Sequence, residues 1–62
     1  QLEEAELERL CSIYAHYVGP LARNLVLRAL RRAPSLQGLH EQLAGEIPDP
    51  RERAEFLDRV AG

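Results

Sequence analysis

The sequence predicts an all-α fold: a compact bundle of four short helices. Three observations carry this expectation. Apolar residues recur at spacings of three and four, the period of a helix with one buried face. Glycines and prolines fall between the periodic segments rather than inside them, apart from Gly38. Residues suited to capping stand at the segment starts. No segment reads as a strand, and there is no internal repeat or low-complexity tract.

Glu3, Glu4 and Glu6 open the first segment. Carboxylates there suit the positive end of a helix dipole. Leu7, Leu10, Tyr14 and Tyr17 then follow at helical spacing, and Gly19 ends the segment because a residue without Cβ can turn the chain at positive φ. Pro20 starts the second helix, its fixed φ suiting a first helical position. Leu21, Ala22, Leu25, Val26, Ala29, Leu30 and Ala33 form one continuous apolar face. Arg28, Arg31 and Arg32 fall near the C-terminal end, where cations favour the dipole, and Pro34 forces the stop.

Ser35 is an N-cap for a short third helix, in which Leu36, Leu39 and Leu43 share a face. Gly38 weakens this helix by about 1 kcal/mol relative to alanine, and Gly45 closes it. Asp49, Pro50 and Glu52 give the fourth helix a cap, a first-turn proline and an acid three residues after the cap. Ile47 precedes it and packs back on the core. Ala54, Leu57, Val60 and Ala61 are expected to form its buried face, with Phe56 at the edge, and Glu55 and Arg59 form an i,i+4 pair of favourable polarity.

A chain of 62 residues makes one small domain at most. Its apolar share of 45% suits a globular domain, and its net charge of −2 gives no general attraction to nucleic acid. No apolar run approaches the ~18 residues that cross a bilayer. Cys11 is the lone cysteine, so no internal disulfide forms. A lone cysteine without a secretory signal suits a reducing, cytoplasmic setting. The first residue is Gln1 rather than Met, and the chain is expected to be a module excised from a longer multidomain protein.

Chemistry-bearing residues are sparse. Cys11 and His16 are five apart and diverge on a helix, and His40 is distant in sequence. No metal-ligand spacing results, and Cys11 is expected to act as a small core residue. There is no phosphate-binding glycine loop, no nucleophile motif and no close carboxylate pair. The reading is therefore non-enzymatic, with no catalytic residue, no cofactor and no small-molecule substrate. His16 beside Tyr14 and Tyr17 is read as a surface histidine next to two packing tyrosines.

Two features point instead to contact with another macromolecule. Leu27 stands one turn from Arg23 and one turn from Arg31, off the core face of the second helix. Either arginine stems or the end of the first helix half cover it, or it belongs to a second apolar surface rimmed by guanidinium groups, as protein interfaces often are. The first helix has an apolar arc of roughly 220°, where a surface helix needs little more than roughly 100°. The excess predicts that one flank packs inside the domain and another against a second chain or domain, unless that helix is central to an irregular bundle. The acidic stretch from Glu3 to Glu8 can meet an arginine-rich second helix across such a boundary.

The tracts "YVGPLARNLVLRAL" and "IPDPRERAEFL" together resemble a small helical module found at the C-terminal ends of bacterial signalling proteins. These include serine/threonine kinases, nucleotide cyclases and other multidomain regulators. The resemblance spans residues 7 to 60 and rests on Gly19-Pro20-x-Ala22 with Leu25-Val26, then on Asp49, Arg53, Phe56 and Leu57. It implies no catalytic residues, only an accessory module for association or regulation. The expected function is thus protein–protein interaction or self-association inside a regulatory protein, through a surface of Leu10, Tyr14, Tyr17, Arg23, Leu27 and Arg31. The alternative is a nucleic-acid-binding module that uses Arg23, Asn24, Arg28, Arg31 and Arg32 of the second helix.

Overall fold

The computed structural model describes residues 3–33 and 35–62. Four α-segments occur: α1 (Glu4–Val18), α2 (Ala22–Arg32), α3 (Leu36–Gly45) and α4 (Pro50–Ala61). A 3-10 turn over Gly19–Leu21 joins α1 to α2 without a break. The described residues are otherwise loop, with no strand among them. The all-α expectation holds, but the helix count needs refining. Residues 4–32 form one helical run bent at Gly19, so the described residues make three uninterrupted runs rather than four separate helices.

Gly19 makes that bend. Its amide donates to Ala15 O and closes α1, and its φ of 72° with ψ of −146° belongs to a region open essentially to glycine. Pro20 sits inside the 3-10 turn, closed by the Ala22 amide on Gly19 O, so α2 begins two residues later than expected. Leu21 lies on the outside of this turn and is 58% exposed; it does not join the apolar face of α2. The proposed stop at Pro34 lies outside the described residues.

The caps of the later helices form as their sequences imply. Ser35 accepts a hydrogen bond from the Gly38 amide at 3.1 Å. Asp49 accepts one from the Arg51 amide at 2.8 Å, with Pro50 at the first helical position.

Each helix packs on its chain neighbours, and α4 returns to α1, which closes a ring α1–α2–α3–α4. The centre is filled by Tyr14, Val26, Leu39, Leu43, Ile47 and Phe56, with Leu10, Ala22, Ala29 and Ala44 around them. Leu36, in the first turn of α3, stays outside at 52% exposure.

The buried face of α4 differs from expectation by about one residue's rotation. Phe56 is fully buried and Val60 half-buried, while Ala54, Leu57 and Ala61 are exposed. The cause is aromatic. Phe56 meets Tyr14 at a centroid distance of 5.2 Å and Tyr17 at 6.1 Å, the latter edge-to-face at 82°. One phenylalanine gripped by two rings gains more than a leucine with two alanines offers.

Candidate interaction surface

Alanine and valine decide the inward side of α2: Ala22, Val26 and Ala29 are buried, and Leu25, Leu30 and Ala33 are half-buried. At about 100° per residue, Arg23, Leu27 and Arg31 then fall in one row well away from that side. All three are exposed, Leu27 at 41%. Arg28, Arg32 and Asn24 extend the exposed face. Leu27 is thus a little over half covered, and the remainder contributes apolar surface between two arginines.

Electrostatics sets this face apart. α2 carries four arginines and no acid; with a net charge of −2 for the chain, the remaining residues carry −6. Of the four arginines elsewhere, three have engaged side chains and Arg51, among the described residues, does not. Arg53 donates to the carbonyls of Ile47 and Pro48, Arg9 to that of Arg59, and Arg59 lies 6.0 Å from the centroid of the Tyr17 ring. Among the described residues, the side chains of Arg23, Arg28, Arg31 and Arg32 donate no hydrogen bond.

The other half of the expected surface is corrected. Leu10 and Tyr14 belong to the core, and neither can be a contact residue. Tyr17 is half-buried and donates its hydroxyl to Glu55 at 2.7 Å. Most of the broad apolar arc of α1 packs within the domain, because α1 meets both α2 and α4; Ala15 alone of it is exposed. Tyr17 and Arg9 lie on the α4 flank. Cys11 lies on the α2 flank: burial pushes its thiol up from 9.0, Arg23 pulls it down and Glu8 pushes it up. The central-helix explanation is the right one for α1.

Cys11 also belongs to a row the expected surface omitted. Glu4, Glu8, Cys11 and Ala15 follow one another at four, three and four, along a single edge of α1. Glu4, Glu8 and Ala15 are exposed. Cys11 of this row feels the charge of Arg23 on α2. The spacing is visible in the sequence; which neighbour it borders is not.

The remaining chemistry-bearing groups do not converge. His16 is exposed on α1, and His40 is half-buried on α3, where burial holds its pKa below the ordinary 6.5. Glu55 and Arg59 both turn to Tyr17 rather than forming the expected pair. Among the described residues no three His, Cys, Asp or Glu side chains gather to hold a metal, and no helix is long and apolar enough to cross a membrane.

The fold and surface define a small all-helical domain with an apolar, aromatic-centred core and one basic outer helix face. The chain belongs to a family described as a domain of unknown function, DUF8082, whose model matches residues 5–62. No curated protein and no solved structure matches it.

Proposed function

We propose that this domain is a protein–protein interaction module of a bacterial regulatory or signalling protein, working in the cytoplasm and without catalytic chemistry of its own. The observation that carries the reading is the exposed row Arg23, Leu27, Arg31. An aliphatic side chain framed by guanidinium groups offers desolvation at the centre and charge at the rim, the composition of protein contact patches. The motif residues support an accessory role, because their observed work is architectural. Gly19 bends the chain, Ala22, Val26 and Phe56 fill the core, and Asp49 and Arg53 build the α3–α4 corner, while Leu57 is exposed.

A photoreactive phenylalanine analogue at position 27, irradiated in cells that produce the chain, tests the reading whatever the partner is. A polypeptide adduct is expected. An adduct with nucleic acid alone, or none, overturns it.

The four exposed arginines of α2 favour one second reading, nucleic-acid binding. Its test is a salt titration with generic duplex DNA: phosphate contacts release counterions and give a steep loss of affinity with salt. No binding at low salt removes it.

A further inference from the structure

The outward side of α2 is laid out as the inward side of a helix usually is. Asn24, Leu27, Arg28 and Arg31 stand at i, i+3, i+4 and i+7, and all four are exposed. At about 100° per residue they centre about 180° from the buried line of Ala22, Val26 and Ala29. Arg23 and Arg32 flank them, also exposed. The face carries four arginines, one leucine and no acid.

Helix stability accounts for only part of this charge. Arg31 and Arg32 fall in the last turn, where cations favour the dipole. Arg23 is the second residue of α2, in a first turn that holds no acid, and a cation there opposes the dipole. Among the described residues, no hydrogen bond from its side chain offsets that placement.

We infer that this face receives an acidic amphipathic helix of another protein, laid along α2 with an apolar residue over Leu27 and carboxylates one turn to either side, on Arg23 and Arg31. The inference rests on the interaction reading and names its occupant. Charge complementarity selects the acid: guanidinium groups without hydrogen bonds inside the domain are free to fork onto carboxylates. The stripe selects a helix, because i, i+3, i+4 and i+7 form the straight seam that a second helix follows with its own. Nucleic acid fits less well. From Arg23 to Arg31 the stripe rises only roughly 12 Å. The residues outside α2 carry −6, since α2 supplies +4 to a net −2, so a duplex reaching past the stripe meets negative charge. An acidic helix of about three turns ends where α2 ends.

The chain with the photoreactive analogue at position 27 tests this when the adduct is digested and the joined segment sequenced. The segment is expected to come from another protein, with helical periodicity and acids in excess around an apolar residue. Arg28→Glu/Arg31→Glu, checked for folding by far-ultraviolet dichroism, is expected to lower the yield about tenfold or more. Lysines in place of the segment's acids are expected to abolish the adduct with the parent chain and to restore it with the reversed one. A segment without excess acid, a second copy of this chain, or a yield indifferent to reversal on either side overturns the inference and keeps the interaction reading. Loss of every polypeptide adduct, or nucleic acid alone, overturns both.

Discussion

The hydroxyl of Tyr14 donates to the carbonyl of Leu43 at 2.7 Å and so ties α1 to α3, the helix diagonally across the ring. Leu43 lies in the last turn of α3, where carbonyls lack helical partners. Its oxygen also accepts from the Glu46 amide at 3.1 Å. Tyr14→Phe keeps the ring against Phe56 and removes only the hydroxyl, while Leu43 keeps one donor. The expected cost is about 1 kcal/mol, which lowers the melting temperature by about 4–8 °C. Tyr14→Leu also loses the aromatic contact and is expected to cost more. A Tyr14→Phe variant as stable as the parent in urea would show that this bond holds nothing.

That bond marks the boundary of what the sequence discloses. Caps depend on neighbours in sequence, so Gly19, Ser35 and Asp49–Pro50 can be placed from the sequence alone, and Ile47 with them. Burial depends on which helix covers which flank, and periodicity within one helix is silent on that. Tyr14 and Leu10 therefore read as candidates for an outer flank, when α2 and α4 between them enclose α1. Phe56 reads as peripheral because the leucine and alanines beside it make the larger count; the two tyrosines that seize it come from forty residues away. Leu27 needs only its own helix to be placed off the core face in line with Arg23 and Arg31; how far a neighbour covers it is not in the spacing.

Stability is expected to depend on pH in a predictable sense. Burial, and then the charge of Glu46, pushes Tyr14 from 10.0 up to about 12. The folded chain then keeps a proton that the unfolded chain has lost, so stability is intact below pH 10.0 and falls as pH rises toward about 12. Tyr17, raised chiefly by burial and then by its bond to Glu55, and Cys11, raised by burial from 9.0, act in the same direction. His40 acts at the other end: burial lowers it from 6.5, so its contribution is lost as pH falls through that region. Urea midpoints measured against pH should be level between about 6.5 and 9.0 and decline on both sides. The alkaline limb should be shallower in Tyr14→Phe; an unchanged limb would remove Tyr14 as its source.

Arg53 holds the α3–α4 corner. Its guanidinium donates from Nε to Ile47 O and from Nη2 to Pro48 O at 3.2 Å, and so fixes the backbone that carries fully buried Ile47. A forked, planar group reaches two successive carbonyls, and an ammonium does not. Arg53→Lys and Arg53→Ala are both expected to destabilise, by about 1–2 kcal/mol. Hydrogen exchange at residues 46–49 should rise in both. Full recovery by lysine would mean that charge alone, not the fork, secures the corner.

The two glycines at the ends of α1 and α3 are expected to respond oppositely to the same substitution. Gly19 has φ of 72° with ψ of −146°, so an added Cβ is strained although no atom lies within 4 Å of it. Gly19→Ala is expected to cost about 1–3 kcal/mol and to disturb the bend that brings α2 onto α1. Gly45 ends α3 without positive φ, and its Cβ would also meet nothing within 4 Å. Gly45→Ala should therefore stabilise the chain by about 0.5–1 kcal/mol, through higher helix propensity and a less flexible unfolded state. Thermal melts of both variants beside the parent decide the matter: opposite shifts are expected, and a Gly19→Ala variant that melts at or above the parent would show that the turn tolerates a side chain and that the bend lies elsewhere.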